Sequence, residues 1–210
     1  MKMTGSAGAR FGAAAQALAD VRAGALTRNT YRFHFKADKP GGIKVEHRDG
    51  RVEYVDEWTE EISNLTTTEG RTDMLQNQFK GSSYSAAFYM FLVSNTAFGA
   101  FAVGDTMAKN TTSTPNPPTT NDWAESIGYS EGTRPAITFS NAAAASIDNA
   151  AAPVTFTINT SVALYGGGLG TNSTKGGTTG LIYGLGAFSS VITLSAGTVT
   201  VYCTLTVANA

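Results

Sequence analysis

Thr198-Val199-Thr200-Val201-Tyr202-Cys203-Thr204-Leu205-Thr206-Val207 alternates polar and apolar side chains without a break. That is the period of a β-strand with one face buried and the other open. The same alternation recurs at Val154-Thr155-Phe156-Thr157-Ile158 and, less regularly, at 135–139, 161–165 and 181–188. Clusters of Gly, Ser, Asn and Thr separate these pieces. Short strands at this spacing predict an antiparallel β-sandwich, of jelly-roll or immunoglobulin-like type.

The same half of the chain is almost uncharged. Of 15 basic and 16 acidic side chains, all but Asp148 and Lys175 precede Ala136. A β-domain with so few surface charges has little to hold it apart from its neighbours. The reading is a surface meant to be covered by other subunits. Net charge is −1, which gives no electrostatic reason to expect nucleic acid or an acidic membrane surface as a partner. No apolar run reaches the roughly 20 residues a membrane-spanning helix needs. Residues 1–26 lack a signal-peptide pattern, so synthesis and folding in a cytosol are expected.

The first half supplies the rest of a mainly β fold. Tyr31, Phe33 and Phe35 alternate with Arg32, His34 and Lys36, predicting a half-buried strand. Ile43–His47 and Val52–Trp58 read as a hairpin around Asp49-Gly50, a strong turn signal. Thr66 with Glu69 three positions on fits a capping box. One short helix is expected over 69–79, with Met74, Leu75 and Phe79 on one face and Gly81 closing it. The apolar run AAFYMFLV at 86–93 predicts a strand buried on both faces. Residues 109–121 (KNTTSTPNPPTTN) predict an exposed Pro/Thr-rich loop.

Two units follow. Residues 1–29, rich in Ala, form an extended N-terminal arm too small-sided to bury a core alone, and residues 30–210 form the sandwich. The arm is expected to order against a partner. Its larger side chains, Arg10, Phe11, Leu18, Val21 and Leu26, are candidate partner contacts, as is Trp123 beside the 109–121 loop.

No catalytic constellation or cofactor site is read from the sequence. His34 and His47 each fall on the polar face of a predicted strand, with no second metal ligand at a recognisable spacing. The acidic cluster Asp56, Glu57, Glu60 and Glu61 could supply paired carboxylates for glycoside hydrolysis, but its place suits a solvated sheet edge. Gly166-Gly167-Gly168-Leu169-Gly170 and Lys175-Gly176-Gly177 lack the helix that a phosphate-binding loop requires and read as flexible turns. Cys203, the single cysteine, reads as a small core side chain. Sequons at Asn64, Asn110, Asn159 and Asn172 would matter only in a secretory pathway.

Several stretches, in order, resemble a family: NLTTTEGRTDML at 64–75, AAFYMFLV, DWAESIGYSEGTRPAITFS at 122–140, NSTKGGTTGLIYGLGAFSS at 172–190 and the closing strand. YSEGTRP and STKGGTTG are the most distinctive. The chain resembles small virion structural proteins of short-tailed double-stranded DNA bacteriophages, described as minor capsid, decoration, cement or tail-associated proteins. The resemblance covers residues 43–208. It implies a non-enzymatic virion component assembled in the bacterial host cytoplasm, with the major capsid protein or portal and neck proteins as partners. A homo-oligomer, such as a trimer, would suit that role. The alternative is a neck- or tail-associated protein, including a receptor- or glycan-binding appendage, with Trp123 and the 109–121 loop as first suspects.

Overall fold

The computed structural model describes residues 28–80, 87–94, 101–110, 123–140 and 142–206. Eleven antiparallel strands and one α-helix lie among them, in two packed sheets. In chain order the strands are β1 (Arg28–Ala37), β2 (Ile43–His47), β3 (Val52–Val55) and β4 (Glu57–Thr66). After helix α1 (Thr68–Lys80) come β5 (Phe88–Ser94), β6 (Ala136–Ile137), β7 (Ser146–Asp148) and β8 (Val154–Ile158). The last three are β9 (Val162–Gly170), β10 (Ile182–Leu194) and β11 (Gly197–Thr206).

The first sheet runs β4-β1-β11, with β8 and β7 sharing the far side of β11. The second runs β6-β5-β9-β10-β2-β3. β4 belongs to both. It pairs with β1 up to Asn64, then gives Leu65 and Thr66 to β10. Further along, β10 exchanges β4 for β2. The sandwich is therefore closed at one corner by a continuous hydrogen-bonded path.

The alternating strands place their apolar sides between the sheets. Tyr31, Phe33 and Phe35 of β1, Phe156 of β8 and Val199, Val201 and Cys203 of β11 face Leu164, Phe188, Ile192 and Leu194, all fully or nearly fully buried. Phe188 meets Phe33 and Phe35 edge-on at 4.9 and 5.6 Å, the favoured aromatic geometry.

β5 is buried on both faces, as its unbroken apolar run requires. Met90 and Leu92 join the central core, while Phe91 and Val93 join a second cluster with Met107, Trp123, Ile182 and Leu185. The segments 101–110 and 123–126 cover that outer face.

Four expectations change. The strand expected at 52–58 is two, because the chain bends at Asp56 and then continues as β4 for ten residues. The glycine run 166–170 is the second half of β9 and not a turn. A Cβ on Gly167 would lie 2.5 Å from the Phe33 ring, and one on Gly168 would lie 2.4 Å from the Phe91 ring. The glycines are thus the room into which two core rings fit. The helix is capped by Thr67 rather than Thr66: Gly70 N–H donates to Thr67 Oγ1 at 3.1 Å, while Glu69 accepts the Ile182 N–H of β10 at 2.5 Å. Met74 packs on the core, but Leu75 is exposed. Gly81, residues 1–27 of the arm and loop residues 111–122 lie outside the described residues, and with them Arg10, Phe11, Leu18, Val21 and Leu26; the last two residues assigned to the arm, Arg28 and Asn29, instead begin β1 and pair with β11.

Candidate functional site

The two most distinctive sequence stretches meet at one end of the sandwich. Glu125 and Arg134 come from the chain entering β6, and residues 172–177 come from the β9–β10 connection. Arg134 Nη2 donates to Glu125 Oε2 at 2.7 Å, Nε donates to both carboxylate oxygens, and both side chains are 0% exposed. The rest of the guanidinium reaches across: Nη1 donates to Asn172 O at 3.0 Å and Nη2 to Gly177 O at 2.9 Å. Glu125 also accepts Gly176 N–H at 2.9 Å and the Tyr129 hydroxyl at 3.1 Å. A buried ion pair needs this many supporting bonds, because desolvation otherwise outweighs the Coulomb gain.

Neighbouring groups complete the joint. Lys175 Nζ donates to Tyr129 O and Glu131 O, each at 2.8 Å, and stands 4.2 Å from the Tyr129 ring centroid. Burial, and then the Glu125 carboxylate, push the Tyr129 hydroxyl well above the ordinary tyrosine range, so it stays a donor to that carboxylate. Glu131 accepts Thr157 N–H at 3.1 Å. Asn110 links a third segment, accepting Glu125 N–H at 3.0 Å and donating to Gly177 O at 3.1 Å. Both charges in the uncharged half serve local structure, since Asp148 Oδ1 accepts Ala150 N–H at 2.8 Å.

Trp123 is the one sequence-derived partner candidate among the described residues, and it is 1% exposed. Its ring stacks on Phe91 at 5.1 Å and 24°, and its Nε1–H donates to Thr106 O at 3.1 Å. The neighbouring Pro-rich loop left its burial open, and the second core cluster takes its ring to cover Phe91 of β5. No ring face is left for a partner or a sugar.

No family model, curated protein or solved structure matches this chain.

Most of the acidic cluster lies at a solvated edge: Asp56, Glu57 and Glu61 are exposed, and over residues 57–64 the strand β4 pairs with β1 alone. Its carboxylates alternate across the strand, and Glu60 is the exception. Glu57 faces out toward Lys36 and His34, each at 3.7 Å. Glu60 stands opposite Phe33 on the inner side and is buried. There it accepts Trp58 Nε1–H at 3.0 Å, Ser189 N–H at 3.2 Å and Ser189 Oγ–H at 2.9 Å. Glu57 and Glu60 thus point to opposite faces of one strand, and no single glycoside could lie between them. Glu60 holds β4 to β10 where their ladder ends.

His47 also departs from its expected solvent position. Its Nε2 meets Glu53 Oε1 at 2.5 Å, Nδ1 meets Ser190 Oγ at 3.2 Å, and its ring stands edge-on to Trp58 at 5.9 Å. Serine, histidine and carboxylate are connected in sequence, the order of a proton relay. Ser190, however, is buried within β10. The relay ties β2, β3 and β10 together.

Of two clefts on the surface of the described residues, neither includes Ser190. One, of about 520 Å³, lies between α1 and residues 103–106 and carries Glu69, Asp73 and Asp105. All three already hold partners: Ile182 N–H, the Tyr183 hydroxyl and Lys109 with Ala102 N–H respectively. The other, of about 330 Å³, crosses the outer face of the first sheet at Arg32, Glu61, Asp148 and Tyr202. Among the described residues no three His, Cys, Asp or Glu converge as a metal-binding group. Glu125 and Arg134 escaped sequence reading. Their one signal was position, as two of the last charges before the uncharged half.

Proposed function

We propose that this chain is a bacteriophage virion structural protein without enzymatic activity, acting as a capsid cement or decoration protein that bridges neighbouring subunits of the assembled head. One observation carries the reading. The outer sides of two adjoining strands, β8 and β11, present Thr155, Thr157, Thr198, Thr200, Tyr202, Thr204 and Thr206 and no charge. Thr155 Oγ1 and Thr200 Oγ1 stand 3.5 Å apart. The strip adjoins a charged half of the same face, where Arg32 of β1 stands 4.4 Å over the Tyr202 ring, but the strip itself is polar enough to remain soluble and lacks the charges that keep sheets from stacking. The resemblance of YSEGTRP and STKGGTTG to virion proteins points the same way, and the joint between those stretches satisfies its own buried charges.

The mechanism is linkage. A protein that binds the assembled shell and not its free subunits stabilises the shell by mass action. An arm that orders on a neighbour adds contact area at an entropic cost. A closed homo-oligomer, a trimer among the options, would repeat that contact symmetrically. Neck or tail attachment is the alternative placement. Its glycan-binding form loses its aromatic platform with Trp123 buried.

Sedimentation with purified particles tests the reading. Full-length protein is expected to co-sediment in hundreds of copies per particle, and protein lacking residues 1–27, which leaves β1 whole, to stay folded and bind more weakly. About a dozen copies would move it to the neck or tail. Absence from particles, or a host-specific signal on a glycan array, would overturn it.

A further inference from the structure

β3 is the outermost strand of the second sheet, and among the described residues it pairs only with β2. Its side chains put a charge inward and apolar groups outward. The inner side carries Glu53 and Val55. The outer side carries Val52 and Tyr54, which are 49% and 66% exposed. On β2 the outer side is polar, with Lys44 opposite Tyr54 and Glu46 opposite Val52. Open sheet edges are ordinarily blunted by lysine, proline, a bulge, short length or an inward charge; β3 has the last two, at four residues with Glu53 inward, but no lysine or proline on its exposed side.

The backbone of that edge is also poised to pair. His47 N–H donates to Arg51 O at 2.9 Å, which makes 47 and 51 a hydrogen-bonded pair. Antiparallel alternation then turns residues 51, 53 and 55 toward β2, and the N–H and C=O of Val52 and Tyr54 outward.

We propose that this edge is a contact between two copies of the chain, with β3 pairing antiparallel to itself across a twofold axis at Val52. Only registers that place same-face residues opposite one another are open, and charge selects among them. Centring on Glu53 would set two Glu53 carboxylates face to face, which is unfavourable. Centring on Tyr54 sets Val52 against the partner's Asp56 and brings Arg51 only to the partner's Glu57, which Lys36 and His34 of its own subunit already approach at 3.7 Å. Centring on Val52 places Arg51 opposite the partner's Glu53, twice by symmetry. Asp49 holds Arg51 Nε at 2.7 Å, and the guanidinium fork has further donors. The same register lays Tyr54 over the partner's Gly50, where a Cβ would meet nothing within 4 Å. The two Val52 residues exchange N–H···O=C bonds on the axis, and the second sheet continues from one subunit into the next.

This inference does not rest on the virion reading, because a dimer in buffer tests it with no particle present. Sedimentation equilibrium of the full chain is expected to show twice the chain mass. Val52→Pro removes an outward N–H while sparing the β2 ladder and should yield monomer with an unchanged circular dichroism spectrum. Arg51→Glu should weaken the dimer at least tenfold. Val52→Cys places two thiols at an axis where antiparallel Cα atoms lie about 5.5 Å apart, so mild oxidation should join the subunits. Val103→Cys, equally exposed elsewhere, should not be joined. A monomeric wild-type chain, a dimer that survives Val52→Pro, or equal crosslinking at the two positions would overturn the assignment.

Discussion

Glu125 and Arg134 meet at 2.7 Å with neither side chain reaching solvent, and between them they join their own segment to two others, at Asn110 and at 172–177. Removing one partner leaves the other charge buried and uncompensated, at about 3–5 kcal/mol. Arg134→Met is therefore expected to lower the melting temperature by roughly 6–20 °C, since each kcal/mol is worth about 2–4 °C in a domain of this size. Glu125→Gln/Arg134→Met removes both charges and should recover a large share of the loss. Calorimetry on the two variants decides it: if the single substitution costs nothing, the pair does not hold these segments together.

Glu69 yields a prediction in pH. Burial raises its carboxyl above the ordinary range, and the Ile182 N–H it accepts only partly opposes that. The folded state therefore holds the proton more tightly than the unfolded chain. Stability contributed by the protonated acid is present below the unfolded value and is lost as pH rises through the folded one. Glu69→Gln keeps an acceptor for Ile182 without a charge. It should equal the wild type in acid and exceed it at neutral pH. Denaturant titrations from pH 4 to pH 7 would expose the error if the two curves stayed parallel.

The strands whose side chains alternate were readable because burial on one face imposes a period of two. β1, β8 and β11 obey it, and β5 broke it in the direction that double burial requires. β4 was hidden because three of its ten residues are Glu, a composition that resembles solvent. What makes it a strand is tertiary: Ser189 and Trp58 satisfy the one carboxylate that turns inward. The glycine half of β9 was hidden for the opposite reason. Its side chains are absent because Phe33, Phe91 and the β10 backbone occupy their space, and no local preference announces that. The Glu125–Arg134 joint depends on two loops far apart in the chain, so no spacing rule could reveal it.

Cys203 sits on the inner side of β11, fully buried, and its N–H donates to Asn149 Oδ1 at 2.7 Å. Burial pushes its thiol far above the ordinary range, so the reactive thiolate is not populated at neutral or mildly basic pH. Native protein at pH 8 is expected to ignore an aromatic disulfide reagent and to react with one equivalent in guanidinium. Rapid labelling of the native form would mean that β11 opens locally.

Gly166 and Gly50 separate two reasons for a glycine. A Cβ on Gly166 would lie 2.1 Å from the Gly186 carbonyl oxygen across the β9–β10 ladder, and backbone atoms cannot swing aside as a side chain can. Gly50 has open space around it but a φ of +85°, in the turn that joins β2 to β3. Gly50→Ala should therefore cost only the backbone penalty, about 1–2 kcal/mol. Gly166→Ala must push β9 and β10 apart next to the Phe188 core and should cost more, at or above the usual range of about 1–3 kcal/mol for overpacking. Gly50→Asn should recover some of its loss, because Asn tolerates positive φ. Gly166→Asn should be worse than Gly166→Ala. Urea midpoints for the four variants test the ordering, and a Gly166→Ala protein as stable as wild type would mean that β9 and β10 are not held at this close approach.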